Sequence, residues 1–107
     1  MKIGCDIVDL RRLKLDHLPF LKGVLSPSER TLFEATNNKK DFLGGRFAAK
    51  EAFLKAIGTG LSGGPRMKEI DVKYRPSGQP VLCYDGKEYE VSISHDGDYA
   101  FAVVIIP

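Results

Sequence analysis

Residues 41–60, DFLGGRFAAKEAFLKAIGTG, decide how this chain folds. Asp41 is a suitable N-cap, residues 46–57 contain neither Gly nor Pro, and Gly58 stands where a left-handed C-cap is needed, so the stretch predicts a helix. At about 100° per residue, Ala49, Ala52, Phe53, Ala56 and Ile57 share one face, wide enough to pack on a sheet. Glu51 and Lys55 fall on the other side. Their order and spacing suit an ordinary exposed ion pair worth about 0.2–0.5 kcal/mol, and that reading stands beside any catalytic one. Beyond the helix, Gly58-Thr59-Gly60 runs on into Ser62-Gly63-Gly64-Pro65. A loop with so little side-chain bulk can cradle phosphate when basic residues lie near, or it can be a plain cap and connection. It is not a Walker loop, because there the glycines open a helix and here they close one.

Working outward, residues 2–8, KIGCDIV, alternate as a half-buried strand does, with Ile3, Cys5 and Ile7 on one face and Gly4, Asp6 and Val8 on the other. Asp6 is out of place in a strand unless a basic side chain, backbone N–H groups or a metal ion compensates its charge. Asp9 can cap a short helix, DLRRLKLDHL, that carries a basic cluster of Arg11, Arg12 and Lys14 and is ended or bent by Pro19. That cluster is either a solvated face or a docking patch for an acidic partner. Ser26-Pro27-Ser28-Glu29 fits a capping box with proline at the first helical position, so another helix runs from here through Leu32 and Phe33.

The second half changes period from helical to alternating. EIDVKYR (69–75) places Ile70, Val72 and Tyr74 on one face, residues 80–84 form another strand, and Asp85-Gly86 signals a hairpin into residues 87–94. His95-Asp96-Gly97-Asp98 then turns into YAFAVVII (99–106), apolar enough for a central or interface strand. The expected fold is α+β: an N-terminal strand, about three helices and an antiparallel β-meander, in one domain spanning residues 1–107.

A 43% hydrophobic and 28% charged composition is ordinary for a soluble globular chain, and a net charge of +2 does not suggest a nucleic-acid binder. No apolar run reaches the eighteen or so residues of a membrane span, and Met1-Lys2-Ile3 leads straight into a strand pattern without a signal peptide. We therefore expect a cytoplasmic protein with neither nucleic acid nor membrane as partner. Cys5 and Cys83 are too few and too far apart for a disulfide framework or a metal knuckle, and both read as buried small hydrophobes.

Among residues with chemistry, His95 ends a strand at a hairpin mouth, where it is structural or points into a cleft. Ser94 beside His95 makes no triad, and there is no G-x-S-x-G. What remains is two carboxylates on separate elements, Asp6 and Glu51, with Lys55 one turn from Glu51 and Arg46, Lys50 and His95 as further cations. Two carboxylates suit Mg²⁺, which keeps part of its water shell and takes other ligands from substrate phosphate. Basic side chains around such an ion would hold a polyphosphate and stabilise a leaving phosphate.

Three stretches together resemble the holo-acyl-carrier-protein synthase family of phosphopantetheinyl transferases. They are IGCDIV (3–8), GRFAAKEAFLKA (45–56) with Gly58-Thr59-Gly60, and VSISH (91–95) with Tyr99-Ala100, in the family's order and spacing. The resemblance implies Mg²⁺-dependent transfer of the 4'-phosphopantetheine arm of coenzyme A to a serine of apo acyl carrier protein, in support of fatty acid biosynthesis. It implies Asp6 and Glu51 as metal ligands and Lys55 at the diphosphate; as general base we expect Glu51 acting through a metal-linked water, with an acidic residue of the carrier or a metal hydroxide as the open alternatives. Arg46, Lys50, Gly58, Thr59 and His95 match positions that line the coenzyme site, and Arg12 matches a carrier-docking arginine. It also implies a homotrimer with sites between subunits. Two other classes stay open on the residues alone: a non-catalytic coenzyme A or nucleotide-binding module, and a small Mg²⁺-dependent phosphohydrolase.

Overall fold

The computed structural model describes residues 1–58 and 63–107. Strand β1 (Lys2–Asp9) is followed by a 3-10 turn (Leu10–Arg12), then helices α1 (Leu18–Val24), α2 (Pro27–Ala35) and α3 (Lys39–Ile57). A second 3-10 turn (Met67–Glu69) leads into β2 (Asp71–Tyr74), β3 (Pro80–Tyr84), β4 (Lys87–Asp96) and β5 (Tyr99–Ile106). The sheet is antiparallel in the order β1-β5-β4-β3-β2, so the meander closes on the N-terminal strand and β5 is internal, as its apolar run requires. The α+β expectation holds. Among the described residues, no helix is long and apolar enough to cross a membrane.

Helix α3 packs across the sheet on the face read from the sequence, with Ala49, Ala52 and Phe53 at most 1% exposed. Gly58 ends it in the left-handed region (φ 75°), its N–H bonding back to Leu54 and Lys55 carbonyls. The start lies earlier than Asp41: Asn38 is the N-cap and Asp41 falls in the first turn, where a carboxylate still meets the positive end of the helix dipole. Gly4 lets β1 lie directly on this helix, since a Cβ there would stand 1.9 Å from the Ala52 carbonyl oxygen and 2.8 Å from the Ala56 nitrogen. The Asp85-Gly86 turn is as expected, with both φ positive (52° and 75°), the geometry whose twist suits a two-residue hairpin.

Two local readings change, at Pro19 and Cys5, and His17 takes a capping role. Pro19 neither ends nor bends a helix begun at Asp9; that segment is a single 3-10 turn capped by Asp9, and Pro19 lies in the first turn of α1, where its missing N–H costs nothing. His17 caps α1, its Nδ1 accepting the Phe20 N–H at 3.2 Å. Cys5 is exposed rather than buried, because the face of β1 that meets α3 is the one carrying Gly4, Asp6 and Val8.

The alternate face of β1 and β5 is the more apolar one and it is bare. Across the antiparallel register, Ile3 pairs with Ile105, Cys5 with Val103 and Ile7 with Phe101. Ile3 and Ile7 are 60% and 64% exposed and Phe101 and Ile105 about 40%. On β4 the same rows continue as Glu90, Ser92 and Ser94, so the apolar strip is two strands wide.

Gly4→Ala is expected to destabilise the chain by about 3 kcal/mol or more, since both atoms it meets are backbone. Gly23→Ala, in α1 with nothing within 4 Å of the new methyl, is expected to stabilise it by about 0.5–1 kcal/mol. Denaturant titration of the two variants checks the contrast.

Candidate active site

Asp6 stands on the helix-facing side of β1, and the close approach at Gly4 brings it under the last turns of α3. There it meets Lys55, whose Nζ lies 2.9 Å from Asp6 Oδ1 and 3.2 Å from the Cys5 carbonyl oxygen. The ion pair that forms is therefore Lys55 with Asp6 across the fold, not Lys55 with Glu51 along the helix. The hydrogen bond to Asp6, followed by its charge, raises the Lys55 ammonium above its ordinary range. Glu51 is pushed up from the ordinary glutamate range, first by burial and then by the Asp6 charge, with Lys55 opposing.

Two grooves meet at Glu51. One, of about 580 Å³, is lined by Asp6, Asp9, Arg12, Phe47, Glu51 and Tyr99 among others. The other, of about 790 Å³, runs from Glu51 and Leu54 past Lys22 to Gly63, Gly64, Arg66 and Lys68. Glu51 is the wall common to both, so a substrate phosphate lying at this carboxylate can extend into a groove rimmed by three cations. Thr59, expected at the coenzyme site, lies outside the described residues; Gly58 just before it is the helix cap.

Arg46 and His95 line a third groove of about 360 Å³ with Asn38, Asp41, Phe42 and Tyr74, sharing no residue with the first two. His95 sits on the same face of the sheet as Asp6, but its ring packs on Gly45, and its Nδ1 lies 3.5 Å from Asp41 Oδ1. Arg46 is buried, its guanidinium 3.6 Å above the Phe42 ring and its Nε 3.4 Å from Glu29. One copy of the chain thus keeps its two sets of expected site residues in separate grooves.

Lys50 is a correction. Its side chain is 0% exposed, and its ammonium is 2.5 Å from Glu29 Oε1, 2.7 Å from the Val24 carbonyl and 3.0 Å from that of Met67. All three donors of the amine are used inside the protein, so none is left to line a coenzyme site. Burial drives the ammonium below its ordinary range and the Glu29 charge opposes that. Sequence reading took Glu29 only as a helix cap; the cue missed was a cation, Lys50, one residue before Glu51 and so turned away from Glu51's grooves.

The basic cluster also divides. Arg11 forks onto the Asp9 carboxylate at 3.0 and 2.9 Å and reaches Tyr99 Oη at 3.3 Å, which holds Asp9 below the usual carboxylate range. Arg12 is 88% exposed at the mouth of the first groove, with its Nε 4.0 Å from Asp9.

Known proteins match this arrangement over nearly its whole length. Residues 2–104 match the model of the 4'-phosphopantetheinyl transferase superfamily. A holo-[acyl-carrier-protein] synthase of a Geobacillus strain is 40% identical over 97% of this chain and 93% of its own. The crystal structure of a holo-(acyl-carrier-protein) synthase from Bacillus anthracis, in complex with CoA (3',5'-ADP), superposes with a TM-score of 0.86 at 34% identity, covering 96% of this chain and 92% of that one. The Helicobacter pylori synthase in complex with coenzyme A gives 0.85 at 32% identity, covering 98% and 99%. With a family model matched over residues 2–104 and this extent of identity and superposition, the chain belongs to the holo-[acyl-carrier-protein] synthase family of the 4'-phosphopantetheinyl transferase superfamily.

Proposed function

We propose that the chain transfers the 4'-phosphopantetheine arm of coenzyme A to a serine of apo acyl carrier protein, in the cytoplasm and in support of fatty acid biosynthesis. The observation that carries this reading is that Asp6 of β1, paired with Lys55 of α3, lines one groove together with Glu51, and that Glu51 also lines a second, cation-rimmed groove. Relatives that share this scaffold have coenzyme A in their crystal structures.

The donor set fits a hard divalent cation. Asp6 and Glu51 are both carboxylates, and Glu51's raised affinity for protons, caused by burial and by Asp6, is the mark of a site that gains from a nearby positive charge. Mg²⁺ would be held by Asp6 and Glu51 and would neutralise charge on the coenzyme diphosphate. The carrier serine Oγ attacks the β-phosphorus in line; the bond from that phosphorus to the bridging oxygen breaks, and adenosine 3',5'-bisphosphate leaves. Glu51 takes the serine proton through a water. Lys55, on a flexible and largely exposed stem, moves from Asp6 to the leaving phosphate and donates to it.

Gly58, the cap of α3, and Thr59, next to it in sequence, are assigned to the diphosphate, and Arg46 and His95 to the other end of the coenzyme. Because their groove is separate from that of Glu51 within one copy, the working form is a homotrimer in which a neighbouring copy supplies Arg46 and His95. The bare strip of Ile3, Ile7, Phe101 and Ile105 supports that assembly, being too apolar to leave in water. Arg12, 88% exposed at the groove mouth and only at the outer limit of an ion pair with Asp9, meets the acidic carrier, whereas Arg11 is committed to Asp9.

Incubation with coenzyme A, Mg²⁺ and apo carrier, followed by mass spectrometry of the carrier, tests the reading: it requires a mass gain of one phosphopantetheine arm. Coenzyme A cleaved beside an unmodified carrier would favour the phosphohydrolase instead. Glu51→Gln and Asp6→Asn are each expected to lower kcat about 100-fold or more with the fold retained by circular dichroism. In the metal-free chain, Asp6→Asn is expected to bring the Glu51 titration down towards the ordinary glutamate range and Lys55→Met to send it up, read by NMR of the carboxyl carbon. Arg12→Ala is expected to raise KM for the carrier about 5–20-fold and leave that for coenzyme A within twofold, and steady-state kinetics against each substrate separates the two.

A further inference from the structure

Glu29 lines none of the three grooves, yet each of them is tied to it. Its carboxylate is 2% exposed and accepts the Ser26 N–H at 2.9 Å, the Val72 N–H at 2.8 Å and the Lys50 ammonium, with Arg46 Nε at 3.4 Å. A helix cap needs only the first of these. Lys50 and Arg46 stand four residues apart on α3, hence on one side of the helix, and a single carboxylate reaches both. Glu51, the next residue, is then turned by about 100° away from that anchored side and towards its grooves.

The same ammonium holds the Met67 carbonyl, and Met67 lies between Arg66 and Lys68 on the wall of the second groove. Two pulls on one side of α3 fix the helix's rotation about its axis; a third fixes the chain that returns from the glycine-rich segment. We propose that Glu29 is a positioning residue for coenzyme binding. It sets the Glu51 turn of α3 and the Arg66–Lys68 wall through Lys50, and the guanidinium of the His95 groove through Arg46. The proposal rests on coenzyme A being the donor substrate. Charge matters as well as shape, because a glutamine in the same place would turn an amide donor towards Lys50 or the Val72 N–H, where only acceptors serve.

The test is steady-state kinetics of Glu29→Gln in the full chain, well below its melting temperature, with calorimetric titration of coenzyme A alongside. KM and Kd for coenzyme A are expected to rise about tenfold while KM for the carrier stays within twofold. A lower melting temperature with a reduced maximal rate and both KM values unchanged would mean that Glu29 only supports the fold, and would overturn the proposal. Lys50→Gln, which keeps a donor for the carbonyls, approaches the same link from the other side if Glu29→Gln fails to fold; an unchanged affinity for coenzyme A there would equally overturn it. Should the unaltered chain bind coenzyme A but transfer nothing, the transferase reading fails while calorimetry still reads the role of Glu29.

Discussion

The architecture depends on how closely β1 lies against α3. A glycine at position 4 allows the strand backbone to approach the Ala52–Ala56 turn with no side chain between them. The small residues opposite, Ala49, Ala52 and Ala56, are what let the helix come down to meet it. Close backbone packing of this kind is rigid, since there are no rotamers to absorb a shift. It brings Asp6, two residues along the strand, within hydrogen-bonding distance of Lys55, one turn beyond Glu51 on the helix. A chemical site made from one strand residue and two helix residues is thus a by-product of a packing contact between main chains.

The second organising element is charge placed inside. Arg46, Lys50 and Glu29 are buried together under α3, and the cost of removing them from water is offset only because nearly every polar atom finds a partner. The exception is Arg46 Nε, buried without a well-formed hydrogen bond and stacked on Phe42 instead. Replacing such a group by an apolar side chain would serve stability as well, so its retention fits a demand on geometry rather than on folding free energy.

Much of this was readable in the residues. The helix from the KEAF stretch to Gly58, the capping box at Ser26 and the Asp85-Gly86 turn each follow from local rules that tertiary contacts did not override. The oddity of Asp6 was legible too, since an aspartate in a strand demands a partner, though which partner was not. Pairing depends on register between elements far apart in sequence, and Lys55 lies 49 residues from Asp6. The same limit explains Lys50: nothing local distinguishes a lysine that turns inward from one that lines a groove, and only the packing of α2 on α3 provides Glu29. Cys5 was misread because alternation gives two faces and does not say which one the helix takes. In β1 the less apolar face won, on account of its glycine.

Strand β5 turns Ala100, Ala102 and Val104 towards α3 and the on average bulkier Phe101, Val103 and Ile105 away from it. Both faces are written in one alternating frame only eight residues long. A single-residue insertion or deletion in that strand would exchange them wholesale, driving a phenylalanine ring into the helix seat and leaving alanines outside. The inner seat and the outer strip therefore have to be inherited together, and sequence drift in β5 is confined to substitutions that respect parity.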